Sequence, residues 1–373
     1  MARVLLVFEP PDGGVAENVL LLALTLGDHG HEVEVAGPPE AVIHPRLREA
    51  GIGVREIPLR RGYGSPAADL RALRSLVGVI RNGQFDVVHC HSAKAGVLGR
   101  IAARIAGVPA VYSPHCFGFV GEVGLGRRVF STVVEWLLGR AATAAIVCAC
   151  EAERGRALER RLAPASRLRR IYYGVRECDP GVEPDPGLME FRGTGPLLAA
   201  VTVLRRQKRI DVLLDALPEV LRRVPEARVA VVGNGELSED LHAQARRLGL
   251  DGDARFRFFG FEAPSARYLK ALDAYVLPSA WEAMPIGVLE ALACGAPQVV
   301  TDVEGTGEAT TSDTGILVAP GDVRGLTDAL VEMLSDPERR KRMSAASRRR
   351  HAELFAVDRM TAETAQLYSD VAR

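Results

Sequence analysis

The stretch SAWEAMPIGVLEALAC, Ser279 to Cys294, follows the apolar run AYVLP, Ala274 to Pro278, and together they predict a strand, a loop and a buried helix. The apolar run is β-compatible and ends at a Pro-Ser turn. Pro285 suits the first helical position, and Ile286 to Cys294 has a helical composition and pattern. Glu282 lies in the loop and Glu290 in the helix, eight positions on, which on a helix is about 12 Å of rise. That is too far for two carboxylates to share a proton, and it fits hydroxyls at opposite ends of an elongated ligand. Between them, the helix start at Pro285 to Gly287 offers N–H groups and a positive dipole end suited to phosphate. A ligand laid out as sugar, diphosphate and ribose matches. On spacing alone, so does a solvated loop Glu beside a helix Glu paired with an arginine.

Upstream, Leu197 to Val203 reads as a strand and Ile210 to Val224 as a helix, joined by Leu204-Arg205-Arg206-Gln207-Lys208. Cations at that strand's carboxyl end reach the same crevice as Ile286, provided the two strands are neighbours. Lys208 is one of four lysines in a chain that otherwise uses arginine, which favours a positioned point charge. Strands at 228–232, 255–258, 298–301 and 315–318 alternate with helices at 237–248 and 323–334 and complete a second α/β series. Asp251-Gly252-Asp253 sits in a turn, where Asp-Gly is ordinary turn chemistry rather than a metal pair.

Asp179 to Gly187, DPGVEPDPG, reads as an interdomain linker. Before it runs a first alternating series. Arg3 to Phe8 is a strand, a loop carries Gly13 and Gly14, and a helix runs from Val15 to about Gly30. Two glycines before a helix let the backbone approach a phosphate or sugar, or simply ease a turn. The three-glycine dinucleotide fingerprint is absent, which sets NAD chemistry aside. His115 follows the strand Ala110 to Ser113, where open parallel sheets place ligands, although taken alone it reads first as a hydrogen-bonded structural histidine. His89-Cys90-His91 closes another strand, whose alternating faces argue against a metal cluster.

The 373 residues suffice for two cores, and the zero net charge provides no global field for nucleic acid. The arginines from Arg154 to Arg170 are interleaved with Glu151, Glu153 and Glu159, as on a solvated helix face. The N-terminal apolar run is too short for a signal peptide and no stretch reads as membrane-spanning, so a cytoplasmic protein is expected. The six scattered cysteines are accordingly expected as reduced thiols, mostly buried.

The pair in EAMPIGVLE, the following ALACGAPQVVTDVEGTGEA, VLRRQKRID, the Gly13-Gly14 loop and HCHSAKAGVLGRIAARIAGVPAVYSPH together resemble the retaining glycosyltransferases of family 4, over nearly the whole chain. The resemblance implies the GT-B fold, two facing Rossmann-like domains with a cleft between them. Residues 1–178 would bind the acceptor and 188–355 the nucleotide-sugar donor, with 179–187 as the linker and the helix 356–373 crossing back to the first domain. It further implies that Glu282 contacts sugar hydroxyls, Glu290 the ribose and Lys208 the diphosphate. Gly14 would approach the donor from the first domain, and His115 would lie near the transferred sugar. Where the family often has Gly-Arg-Leu, this chain has Thr202-Val203-Leu204, leaving Arg205 as the candidate phosphate arginine. Ala283 and Cys116 stand where the family commonly has glycine.

The mechanism expected is metal-independent retention without a protein nucleophile. Lys208, Arg205 and the N–H groups from Pro285 through Ile286 and Gly287 to Val288 would stabilise the leaving diphosphate. No cofactor is expected, since the nucleotide-sugar, a UDP- or GDP-sugar, is a co-substrate. A nucleotide-sugar epimerase of the same fold and a degenerate sugar-nucleotide binding subunit are the alternatives. The expected acceptor is a lipid-linked or cell-surface polysaccharide precursor met at the inner face of the membrane. Its motivation is the segment Gly126 to Ala142, where Arg127 and Arg128 accompany Val129, Phe130, Val133, Trp136 and Leu137. Burial against the first sheet is the competing expectation, above all for Val133 and Leu137.

Overall fold

The structure, a computed structural model, describes residues 1–60, 62 and 65–372, which divide into two compact units. The first comprises 1–174 and 357–373, the second 175–356. The first unit runs β1 (Arg3–Phe8), α1 (Gly13–Thr25), β2 (Glu32–Gly37), α2 (His44–Glu49), β3 (Gly53–Glu56), α3 (Pro66–Gly83), β4 (Val87–His91), α4 (Ala93–Ala106), β5 (Ala110–Ser113), α5 (Leu125–Ala141), β6 (Ala145–Cys148), α6 (Glu151–Glu159) and β7 (Leu168–Arg170). Its parallel sheet has the order β3-β2-β1-β4-β5-β6-β7. Leu5, Val7, Val88 and Cys90 turn one way into an apolar core. The residues alternating with them, Leu6, Phe8, His89 and His91, turn to the other face.

The second unit runs α7 (Pro186–Arg192), β8 (Leu197–Val201), α8 (Ile210–Arg223), β9 (Arg228–Val232), α9 (Ser238–Arg247), β10 (Phe256–Phe259), α10 (Ala266–Leu269), β11 (Ala274–Leu277), α11 (Ile286–Cys294), β12 (Gln298–Thr301), α12 (Glu304–Ala309), β13 (Gly315–Val318), α13 (Val323–Ser335) and α14 (Pro337–Arg350). Its parallel sheet has the order β10-β9-β8-β11-β12-β13. Helix α8 packs Leu213, Leu217, Val220 and Leu221 onto it. The four-residue spacing of Leu213, Leu217 and Leu221 gives the single apolar stripe that such a helix needs.

The last helix, α15 (Val357–Val371), belongs to the first unit. Asn18 Nδ2 donates to Met360 Sδ at 3.3 Å, the Thr25 and Thr361 hydroxyls lie 2.6 Å apart, and the Tyr368 hydroxyl meets His89 Nδ1 at 2.6 Å.

Three expectations need correction. The segment 179–187 is not a free linker but part of the second unit. Lys270 Nζ donates to the carbonyls of Asp179, Pro180 and Val182, and Arg267 pairs with Asp185 at 2.9 Å. The chain instead passes between units at Gly174–Val175 and Ala356–Val357, and inside the second unit Val175 pairs with Ala356. Cys178 and Cys294 form a disulfide with Cα atoms 4.9 Å apart, so these two are not the reduced thiols expected. They are 116 positions apart in sequence, so spacing carried no sign of the pairing. Finally, α1 begins at Gly13 rather than Val15, so the two glycines form its first turn.

Candidate functional site

Strands β8 and β11 are hydrogen-bonded neighbours, with Ala274 opposite Leu198 and Tyr275 opposite Ala199, and strand order reverses between them. In an open parallel sheet the two loops leaving such a pair diverge and open a crevice at their carboxyl ends. Here those loops are Thr202–Lys208 and Pro278–Pro285. They are tied together where the Ala280 N–H donates to the Gln207 carbonyl at 2.9 Å.

The Glu282 carboxylate is the centre of this crevice. It is 5% exposed and its oxygens are used from three sides. Lys208 Nζ donates to Oε1 at 2.6 Å and Ser279 Oγ to the same oxygen at 2.8 Å, while Gln207 Nε2 donates to Oε2 at 3.2 Å. A buried carboxylate is tolerable only when paired and hydrogen-bonded, and here both conditions are met. An ammonium has three donors, so after Glu282 two remain to Lys208. Sequence reasoning missed Ser279 and Gln207. Their only signal was position, three residues before Glu282 and one before Lys208.

Helix α11 begins beside this pair. Pro285 is its N-cap rather than its first residue, and it has no N–H. The Val288 N–H is taken by the Pro285 carbonyl at 3.1 Å. Of the four expected positions, therefore, Ile286 and Gly287 supply the first-turn donors that have no partner among the described residues. A side chain at Gly287 would put its Cβ 2.8 Å from the Tyr275 hydroxyl, so this close approach requires glycine. Burial pushes the Tyr275 phenol up, and the negative charges of Glu282 and Glu290 push it further, which brings both carboxylates within electrostatic reach of one hydroxyl. Glu290 is half-buried inside α11, and Arg205 is half-buried in the β8 loop. Asp253 is committed elsewhere, with both its oxygens on Arg255.

In the first unit, strand order reverses between β1 and β4. At their carboxyl ends Ser92 Oγ donates to Glu9 Oε2 at 3.2 Å, and Gly13 takes φ 78°, a left-handed conformation that glycine adopts without strain. His115 and Cys116 after β5 both have positive φ, 52° and 87°. Glu153 holds this turn through the Cys116 N–H at 3.0 Å and the Ala149 N–H at 2.7 Å.

His89 and His91, two positions apart, share one face with ring centroids 4.0 Å apart. Burial pushes His89 and His115 down to about 3 and His91 well below its ordinary value, so all three rings are neutral at pH 7. The rings bond to each other and to hydroxyls. His91 Nδ1 lies 2.9 Å from His115 Nε2, and His115 Nδ1 lies 2.5 Å from the Tyr173 hydroxyl. The pairing that wastes fewest groups runs one way: Tyr173 donates to His115, whose Nε2–H donates to His91, leaving only the buried His91 Nε2–H over. Both ring nitrogens of His115 are therefore engaged inside the unit. Among the described residues no group of three or more His, Cys, Asp or Glu side chains is arranged to hold a metal.

Sequence models of two families match the chain: glycosyl transferases group 1 over residues 189–350, and a glycosyl transferase 4-like domain over 13–174. The chain is 31% identical to the phosphatidyl-myo-inositol mannosyltransferase of Mycobacterium leprae, over 91% of this chain and 88% of that protein. It is 29% identical to the Escherichia coli UDP-Gal:alpha-D-GlcNAc-diphosphoundecaprenol alpha-1,3-galactosyltransferase, over 72% and 71%. In fold it is similar to Anabaena HepE, solved in complex with UDP and glucose, with a TM-score of 0.84 at 20% identity over 99% of this chain and 100% of that one. Solved structures of this kind are GT-B, and the two parallel-sheet units are of that class.

Proposed function

The chain belongs to the group 1 glycosyltransferases, and on that footing we propose that it moves a sugar from a UDP- or GDP-sugar to a lipid-linked sugar acceptor, with retention and without a metal. The observation that carries this reading is the pairing of the Lys208 ammonium with the Glu282 carboxylate, which joins the two loops leaving the β8–β11 switch point, the second of them leading into α11. In the reaction the bond from the anomeric carbon to the diphosphate oxygen breaks, and its electron pair leaves with the nucleoside diphosphate. The acceptor oxygen bonds to the anomeric carbon, and its proton passes to a donor phosphate oxygen on the same face. Negative charge grows on the leaving group, where fixed cations and helix N–H groups stabilise it most. Lys208, Arg205 and the N–H groups of Ile286 and Gly287 take that role. Glu290 holds the ribose and Glu282 the sugar hydroxyls, with Ser279 and Gln207 fixing the carboxylate. Gly13, Gly14 and His115 are the residues that the first unit offers to a sugar, and His115 can contact one only after giving up one of its two ring bonds.

The lipid-linked acceptor is supported by the names of the two relatives, one acting on a diphosphoundecaprenol-linked sugar and one on a phosphatidylinositol. Thermal-shift screening against UDP-, GDP- and ADP-sugars tests the donor side, because a ligand that binds only the folded state raises its melting temperature. A rise with one nucleotide class identifies the base, and no rise with any of them removes the donor reading.

A further inference from the structure

A line of hydrogen bonds runs from Tyr173 through His115 to His91, at 2.5 Å and 2.9 Å. Its two ends are buried, His91 completely, and the ring in the middle is half-buried. The line therefore offers one imidazole to a ligand, and the neighbours of that imidazole decide what it presents. A neutral imidazole carries a single N–H, on Nδ1 or Nε2, and the choice follows from the bond made by the other nitrogen. Burial keeps the proton on the Tyr173 phenol by pushing its titration well up, and keeps His115 neutral by pushing it down to about 3. A phenol is the better donor of the two groups and an imidazole nitrogen the better acceptor, so the phenol O–H points at Nδ1 and the proton of His115 lies on Nε2. The reverse arrangement would leave the phenol O–H buried with no acceptor among the described residues.

Both neighbours are fixed by the backbone. His91 ends β4 and lies in register with Ser113, the last residue of β5, beside the loop that carries His115. On the other side the Gly174 N–H donates to Met360 Sδ of α15 at 3.1 Å, which holds the residue after Tyr173. The two ring bonds of His115 are not equal. Release of the Tyr173 side would orphan a buried O–H, whereas release of the His91 side frees an N–H and leaves only an unfilled acceptor, His91 Nδ1. The His91 bond is also the longer one.

We propose that Tyr173 and His91 are positioning residues of the transfer: Tyr173 fixes His115 as a hydrogen-bond donor through Nε2–H, and His91 holds that donor until a sugar oxygen takes it. The inference rests on the reading that His115 meets the sugar, and adds which ring bond is exchanged and that the sugar atom contacted is an oxygen acting as acceptor. A neutral donor also orients the sugar without setting a cation beside the positive charge that grows at the anomeric carbon.

The first arm of the test is histidine nitrogen NMR on the full, isotopically labelled chain without ligand, with the His115 signals identified by their loss in His115→Gln. The parent is expected to carry the proton on Nε2. Tyr173→Phe, which removes only the hydroxyl, is expected to show both tautomers, and His91→Leu to keep the Nε2 form. A parent protonated on Nδ1, or a tautomer lost in His91→Leu and kept in Tyr173→Phe, overturns the proposal. The second arm is turnover with the UDP- or GDP-sugar that raises the melting temperature. Tyr173→Phe is expected to lower kcat about tenfold, the size of one hydrogen bond, while its affinity for free UDP or GDP stays that of the parent. The melting temperature of each variant checks that it is folded. If His115→Gln is slow and Tyr173→Phe turns over like the parent, the positioning role falls and the His115 reading stands. If His115→Gln itself turns over like the parent, the His115 reading falls and takes the positioning roles with it.

Discussion

The Lys208 ammonium lies 2.6 Å from the Glu282 carboxylate, with the side chains 18% and 6% exposed. The two residues are 74 positions apart and come from loops after different strands. In the proposed mechanism the cation that stabilises the leaving group is thus also the one that neutralises the carboxylate proposed to hold the sugar.

Removing either partner leaves a buried charge uncompensated. Lys208→Ala is expected to destabilise the second unit by roughly 3 kcal/mol and to lower kcat about a hundredfold. Glu282→Ala alone should cost a similar amount of stability. The double replacement should cost much less than the sum, because the second change removes a charge that the first had orphaned. Chemical denaturation of the four forms measures the cycle, and additive losses would show that the pair is not coupled.

Glu290→Ala is expected to weaken UDP or GDP binding about tenfold, on the order of the net worth of one charge-assisted hydrogen bond. Glu282→Ala should instead lower turnover or change sugar preference. Calorimetry with the free nucleotide separates them, and equal loss of nucleotide affinity in both variants contradicts the assignment.

The two positions where the family commonly has glycine differ in backbone. Cys116 sits at φ 87°, while Ala283 is not among the residues of positive φ. Cys116→Gly is expected to relieve strain worth about 1 kcal/mol and to raise or hold the melting temperature. Ala283→Gly should lower stability by roughly 0.5–1 kcal/mol through the added freedom of the unfolded chain. Paired thermal melts read the sign of each.

How much of this was legible in the sequence depended on whether the signal was local. Strand Ala274–Leu277 and helix Ile286–Cys294 fall where the apolar runs placed them, because a buried strand and a buried helix need little beyond their own pattern. The neighbouring of β8 and β11 was stated as a condition, and the register meets it. The Lys208–Glu282 contact, the Cys178–Cys294 bridge and the anchoring of 179–187 by Lys270 all join distant residues, for which periodicity carries no information. Helix α5 misled for a sharper reason. Its apolar positions fitted both an outward, interfacial face and, for Val133 and Leu137, burial against the sheet; Arg100 and Tyr112 on other elements hold Glu135 inside and leave Val133 and Leu137 48% and 51% exposed.

Stability should fall on acidification through the histidines of the first unit. His89 is depressed to about 3 by burial, so above pH 6.5 both folded and unfolded forms are neutral and no penalty exists. Below pH 6.5 the unfolded form takes up a proton that the folded form refuses. Stability is therefore lost as pH falls from 6.5 towards 3, at up to about 1.4 kcal/mol per pH unit for each such histidine. His89→Gln should flatten the slope by one histidine's share. Denaturation midpoints at pH 7, 6 and 5 measure it, and an unchanged slope would place the lost stability elsewhere.

The most direct measurement is product analysis with purified chain, UDP- and GDP-sugars in turn, an undecaprenyl-diphosphate sugar as acceptor, and EDTA throughout. The account predicts nucleoside diphosphate released one for one with a glycosylated acceptor that keeps the donor's anomeric configuration, and loss of both products in Lys208→Ala. A nucleotide-sugar returned with an altered sugar and no diphosphate released would make the protein an epimerase. Activity that EDTA abolishes and Mg²⁺ or Mn²⁺ restores would contradict the role given to Lys208 and the start of α11.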